Sequence, residues 1–292
     1  MNYLKLEPEE NTYNLLMVDI THRCNMECAN CYLPNRIIPD MDVNKLYSFI
    51  KRLPSRTIIR LIGAEPTMRK DLFDIIKQIK KLGHNVSVTT NGLKLSSLNY
   101  VKKLKQAGLR MILLSMNGAD DPNYYEILDS GSIYTKMKVD ALENCFKQNM
   151  LVNTGTILIR GVNEDCLFKQ VDLVRKKIKE TNYKNRIKPI LRFKSVAKLG
   201  RYMETEGFSI IELEDMLKYY VKDVSLINIK ESPNHATLSS FYETDDVYIR
   251  LVDWTQDDDG VPDANNEKRG RITQEWKIAP FFEHVKENEF GY

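Results

Sequence analysis

Three cysteines fall within eight residues near the start of the chain, in the run Asp19-Ile20-Thr21-His22-Arg23-Cys24-Asn25-Met26-Glu27-Cys28-Ala29-Asn30-Cys31. Their C-x3-C-x2-C spacing lets one short loop wrap three thiolates around an inorganic centre. A [4Fe-4S] cube ordinarily takes four thiolates, so three leave one iron open to another ligand. The alternative is a zinc knuckle in which His22 adds an imidazole to the three thiolates. The chain has five cysteines in all. An odd number with three clustered fits metal binding in a reducing compartment better than a disulfide framework.

The other reactive side chains carry weaker signals. Cys145 shares a helical face with Leu142, Phe146 and Met150, which makes it a core residue. Cys166 opens a helix just past a strand, where a helix terminus lowers a thiol pKa, so it is a candidate hydrogen-atom donor. Arg192 and Lys194 end another strand. Either can bind a substrate anion or a cofactor carboxylate, and the planar fork of Arg192 suits a carboxylate better. Asp257, Asp258, Asp259, Gly260 and Asp263 resemble part of a calcium loop. Thr255 and Asn266 occupy its first and twelfth positions, so a solvated turn is the expectation.

Positioning these residues falls to alternating strands and helices. Apolar runs of strand length at 15–20, 57–62, 85–90, 110–116, 153–159 and 187–193 are each followed by a helical period. Those helices lie near 43–53, 70–82, 95–107, 135–149, 165–181 and 211–221. This rhythm predicts an α/β fold with a parallel sheet and crossover helices, punctuated by Gly83, Gly92 and Gly108. The rhythm stops after about residue 225. An antiparallel pair at 237–252 and a polar stretch follow, giving a core at 1–224 and a C-terminal extension or cap at 225–292. Trp276, Pro280, Phe281, Phe282 and His284 mark the last segment as a cap for an open barrel or a dimer contact.

Further motifs follow the strand ends: Gly63-Ala64-Glu65-Pro66, Thr89-Thr90-Asn91-Gly92, Ser115-Met116-Asn117-Gly118, and Gly155 through Ile157, Arg160 and Gly161 to Glu164. Ligands of parallel α/β sheets gather at the carboxyl ends of strands, where all of these lie. Together with the cysteine spacing, they resemble the radical S-adenosylmethionine (SAM) superfamily over residues 15–193.

The resemblance implies a partial (βα)6 barrel of radical SAM type. Cys24, Cys28 and Cys31 would bind a [4Fe-4S] cluster whose open iron chelates SAM. Gly63, Ala64, Glu65 and Pro66 would hold the SAM ammonium, through backbone and carboxylate. Thr90, Asn91, Ser115 and Asn117 would contact ribose and carboxylate, with Ile157 and Arg160 beside adenine. Arg192 joins this cofactor-binding set, as does Asn30, which stands where the family usually has an aromatic. Ala64 replaces the commoner second glycine.

The implied chemistry is reductive cleavage of SAM, followed by hydrogen abstraction from a substrate carbon by a 5′-deoxyadenosyl radical. The cofactors carry the difficult step; the chain orients them and excludes water. An electron donor such as flavodoxin or ferredoxin is the implied partner. A small metabolite (sugar, amino acid or nucleoside) is the leading substrate, with a peptide-modifying maturase or epimerase as the alternative. No cysteine follows Cys166, which weakens a maturase with auxiliary clusters. A structural zinc protein is the non-catalytic rival.

Whole-chain properties narrow the classes. With 292 residues and 42% apolar content, the chain can bury a sizeable core. A net charge of +3, from 43 basic and 40 acidic residues without a single-sign block, points away from nucleic acid. No signal peptide or membrane-spanning run is visible, so a cytoplasmic protein with no membrane partner is expected.

Overall fold

The computed structural model describes residues 5–31, 38–195, 205–230, 238–253 and 269–280. Six parallel strands form its centre: β1 (Leu15–Thr21), β2 (Ile58–Gly63), β3 (Asn85–Thr90), β4 (Met111–Ser115), β5 (Leu151–Leu158) and β6 (Ile190–Ser195), paired in chain order. The crossovers carry α1 (Val43–Ile50), α2 (Leu72–Lys81), α3 (Leu98–Gln106), α4 (Pro122–Asp129), α5 (Tyr134–Lys147), α6 (Cys166–Thr181) and α7 (Ile210–Tyr220). This is the expected partial (βα)6 barrel.

Side-chain alternation builds its two faces. Leu16, Val18 and Ile20 of β1 and Ile59 and Leu61 of β2 enter the main core with the helices. Residues between them, such as Met17, Asp19 and Arg60, therefore point to the other face, the barrel interior. α2 meets the core through Leu72, Ile75, Ile76 and Ile79, spaced as a helical stripe requires. Asp42 starts α1 by accepting hydrogen bonds from the amides of Asn44 and Lys45.

Two features differ from the sequence expectation. α4 was not expected: it is one short helix whose start signal is Asp121, accepting from the Asn123 amide, followed by Pro122 in the first turn. The extension, in turn, widens the sheet at both edges. After β7 (Ser225–Lys230) and β8 (Leu238–Glu243), β9 (Tyr248–Asp253) pairs antiparallel with β8 and parallel with β6. β10 (Arg269–Ile272) lies parallel to β1, and β11 (Ile278–Pro280) folds back against β10. Eight strands in a row, β10, β1 to β6 and β9, are thus parallel. Trp276 packs on Phe49 of α1 with ring centres 6.1 Å apart. The calcium-like run Asp257 to Asp263 and the aromatic residues Phe281, Phe282 and His284 lie outside the described residues. Among the described residues no helix is long and apolar enough to cross a membrane.

Candidate active site

The cysteine loop leaves the carboxyl end of β1 and is fastened on both sides. On one side, the Ala64 amide donates to the Thr21 carbonyl at 2.9 Å and the Glu65 amide to the Arg23 carbonyl at 3.0 Å. Gly63 makes this approach possible. Its φ is +130°, and a Cβ there would fall 2.2 Å from the Thr21 carbonyl oxygen. On the other side, the Ala29 amide donates to the Leu128 carbonyl at 2.8 Å and the Ser130 hydroxyl to the Glu27 carbonyl at 2.6 Å. The loop is therefore held between the end of β2 and the end of α4. Asp40 clamps its entry, accepting from Thr21 Oγ1 at 2.6 Å and from Arg23 Nη2 at 2.5 Å. Burial opposes ionisation of Asp40, but these donors outweigh it and hold the carboxyl below its usual range.

Cys24, Cys28 and Cys31 are all half-buried. Burial pushes the Cys28 thiol far up, the charge of Asp129 adds to this, and Cys31 and Cys24 act the same way. The three sulfurs thus sit within electrostatic reach of one another. Among the described residues no three His, Cys, Asp or Glu side chains close on a single metal position. The zinc alternative would need His22 and the three thiols about 2.0–2.3 Å from one ion. Three soft thiols spread along one loop fit the chemistry of an iron–sulfur cube, whose irons occupy separate corners.

Glu65 is fully buried. Its Oε1 accepts from the Thr67 amide at 3.0 Å and from Thr90 Oγ1 at 2.7 Å, and its Oε2 from the Asn91 amide at 2.7 Å. Three of about four acceptor positions on the carboxylate are thereby filled. Glu65 thereby pins the end of β2 to the end of β3, with one acceptor position left over. Asn91 then reaches the cysteine loop, with its Nδ2 2.9 Å from Asn25 Oδ1 and 3.9 Å from Cys24 Sγ. Asn30, between Cys28 and Cys31 of that loop, is buried.

Asn117 knits the next two strands together. Its Oδ1 accepts from the Ile157 amide at 3.2 Å, its Nδ2 donates to Asp129 Oδ1 at 3.1 Å, and its carbonyl accepts from Asn163 Nδ2 at 2.9 Å. Asp129, at the end of α4, forms a 2.6 Å ion pair with Lys138 of α5, and both side chains are almost wholly buried. Lys138 also donates to the Ser115 carbonyl at 3.0 Å. This pair was missed from sequence. The only signal available was a charged residue at a core position on each of two neighbouring helices.

Two further residues singled out by the sequence make other contacts. Cys166 is buried in the helix–sheet core, and its thiol donates to the Asn117 carbonyl at 3.4 Å. Burial, followed by the charge of Asp165, pushes this thiol up instead of down. The thiol thus lies among the packed side chains on the helix side of the sheet. Arg160 turns outward, donating to Glu212 Oε1 at 2.8 Å and the Gly207 carbonyl at 3.0 Å, with its guanidinium over the Phe208 ring. That geometry ties it to the start of α7.

The barrel face also carries a set of cations from separated strands: Arg60 on β2, Arg192 and Lys194 on β6, Arg250 on β9, and Arg269 and Arg271 on β10. Arg271 is ion-paired with Asp19 of β1, both buried. Arg60 donates to Ser87 Oγ at 3.2 Å. Of this set, the sequence had singled out only Arg192 and Lys194. A charged residue inside the otherwise apolar strand Ile58-Ile59-Arg60-Leu61-Ile62 was a legible mark of an interior-facing position.

The cysteine loop, the pinned strand ends and the parallel barrel define one class of protein. The radical SAM superfamily profile matches residues 18–174, more than half of the chain, and the chain belongs to this family. It is a radical SAM enzyme that uses a [4Fe-4S] cluster and SAM. Among similar proteins, the 7,8-dihydro-6-hydroxymethylpterin dimethyltransferase of Methanocaldococcus jannaschii is 34% identical over 53% of this chain and 32% of its own length. The GTP 3′,8-cyclase of Clostridium perfringens is 26% identical over 72% of this chain and 64% of its own length. The chain thus spans about a third and just under two thirds of these two relatives. Streptococcus suis SuiB bound to S-adenosylmethionine shares the fold, with a TM-score of 0.57 at 14% identity over 72% of this chain and 47% of its own.

Proposed function

We propose that Cys24, Cys28 and Cys31 hold the cluster and that the enzyme acts on a small metabolite admitted to the barrel interior. The observation that carries this is the three-thiol loop at the end of β1, held between Gly63-Ala64-Glu65 and α4. When bound, the cluster and SAM together supply one-electron cleavage of a carbon–sulfur bond of SAM and, from it, hydrogen abstraction from an unactivated carbon.

The chain's own residues perform the rest. The backbone of Gly63 and Ala64, with Thr90, Asn91, Ser115, Asn117 and Ile157, lines the strand ends where SAM would be held. Glu65 fixes the spacing of two of those ends. Met17 and Ile62, with Leu15, form a small apolar group on the barrel side of the sheet, and such a surface helps exclude water. Residues 1–224 serve as the catalytic core and 225–292 as an extension that completes the sheet edges. An electron donor such as flavodoxin or ferredoxin would deliver the electron. The two relatives named above carry GTP and a pterin in their names, both small heterocycles, and this favours a metabolite over a peptide.

Anaerobic reconstitution with iron and sulfide tests the assignment. The protein should turn brown and release 5′-deoxyadenosine from SAM with dithionite, whereas Cys24→Ala should lose both properties. Retention of either property by Cys24→Ala would sink the ligand assignment.

A further inference from the structure

Asp129 stands behind the cysteine loop at the level of Cys28. The Ala29 amide donates to the Leu128 carbonyl at 2.8 Å, and the Ser130 hydroxyl to the Glu27 carbonyl at 2.6 Å. Residues 27 and 29 bracket Cys28, residues 128 and 130 bracket Asp129, and the two bonds run in antiparallel order. Cys28 and Asp129 therefore face each other across the junction, and segments bonded in this way lie roughly 5 Å apart.

The Asp129 carboxylate is held away from water. It is fully buried, with Oδ1 accepting from Asn117 Nδ2 at 3.1 Å and Oδ2 paired with Lys138 Nζ at 2.6 Å. Lys138 is fixed as firmly: it too is buried, donates to the Ser115 carbonyl at 3.0 Å and lies 5.4 Å from the centre of the buried Tyr125 ring. The pair is thus an oriented dipole in a dry setting, where charge acts strongly. Both charges reach the Cys28 sulfur, that of Asp129 more strongly than that of Lys138. Its negative end faces the loop.

Stability alone is a weak reason for such a pair, because desolvation offsets the attraction and apolar side chains of similar volume often serve as well. Fastening the loop is already done by the Leu128 carbonyl and the Ser130 hydroxyl, neither of which is part of the Asp129 carboxylate. What apolar packing lacks is a charge beside one cluster thiolate, and nearby charge is among the factors that set a cluster's potential.

We propose that Asp129, held in place by Lys138, acts through Cys28 to keep the reduction potential of the cluster low. The inference rests on the reading that Cys24, Cys28 and Cys31 hold the cluster, and it adds a positioned charge to that site. One electron from an external donor adds negative charge beside the carboxylate; this disfavours the reduced cluster and makes it, once formed, the stronger reductant towards SAM. A unit charge within about 10 Å, at an effective dielectric constant of about 20, shifts a one-electron equilibrium by about tenfold or more, or about 59 mV.

Potentiometric titration of the reconstituted protein with dithionite, without SAM and followed by electron paramagnetic resonance of the reduced cluster, tests this. Asp129→Asn keeps the size of the side chain and should raise the midpoint by about 59 mV or more. Asp129→Asn combined with Lys138→Met should raise it less, because the uncompensated ammonium is gone as well. Iron content establishes that each variant carries the cluster. Should Asp129→Asn lose it, the double variant, with neither charge of the pair left, stands in the comparison and should still lie above the parent.

A pair that only supports the fold would lower iron content or Tm and leave the midpoint of the cluster-bearing protein where it is. Midpoints equal to or below that of the parent overturn the role of Asp129, and so does loss of the cluster from both variants, which would make the pair a fastening of the loop. A reduced-cluster signal that persists in Cys24→Ala overturns the ligand assignment instead. Unchanged midpoints with a signal that requires Cys24 remove the role of Asp129 alone and leave that assignment standing.

Discussion

Glu65 shows how a residue can matter to a cofactor site while acting mainly on its neighbours. Three donors converge on its buried carboxylate, and an amide cannot accept from all of them because its NH2 group is itself a donor. Glu65→Gln is therefore expected to lower stability by about 1–3 kcal/mol, the cost of a buried unsatisfied group. It should also weaken SAM binding, checked by urea unfolding and equilibrium dialysis. Lys194 makes a prediction of a different kind. Its folded value, about 7, lies below the 10.5 of the free side chain, so the unfolded chain binds the extra proton between those values. Stability should rise with pH across that window, and the penalty should be fully present below it. The facing charges are Arg192, Arg269, Arg250 and Arg60. Lys194→Met should flatten the rise, read as urea midpoints at about pH 7 and 9.5; an unchanged slope would remove Lys194 as its source.

At the scale of elements, α4 and α5 do the work that the strand pattern does not announce. Their shared Asp129–Lys138 pair is buried and tied to Asn117 and Ser115, so it couples the cysteine loop to the ends of β4 and β5. Lys138→Met strands a buried carboxylate and should cost roughly 3–5 kcal/mol. Adding Asp129→Asn should recover part of that loss, a coupling that a double-mutant cycle in chemical denaturation measures. Gly63→Ala acts on the other side of the loop. With φ at +130° and the Thr21 carbonyl in the way, the turn must open. Iron incorporation should fall while far-ultraviolet circular dichroism stays close to that of the parent.

Across the whole molecule, the last described strands close on the first. β10 adds to β1, Arg271 pairs with Asp19, and Leu6 bridges to Ile278. Arg271→Leu leaves Asp19 buried without its partner and should cost roughly 3–5 kcal/mol. Differential scanning calorimetry would show the loss as a lowered Tm. A melting curve unchanged by Arg271→Leu would mean that the β1–β10 edge contributes little to the fold.

Much of the site could be read before the fold was known, because its signals are local. Thiols spaced C-x3-C-x2-C must share a loop, and alternating runs of period two and 3.6 impose parallel strands with crossover helices. The strand expected at 85–90 coincides with β3, and the other five expected strands lie within a few residues of the observed bounds. Those local rules also placed every motif at the carboxyl ends of strands. α4 escaped because a short helix buries only part of one face, as the exposed Ile127 shows, and so carries little periodicity. What tertiary structure alone decided depends on contacts between distant segments. Cys166 follows a strand end as a catalytic thiol would, yet helix packing turned it into the core. Glu65 became a pin only when β3 lay beside β2. Arg60, Arg192, Arg250 and Arg269 are isolated charges in sequence. Arg192 and Arg250 become neighbours only because β9 pairs with β6, a strand pairing between segments far apart in the chain.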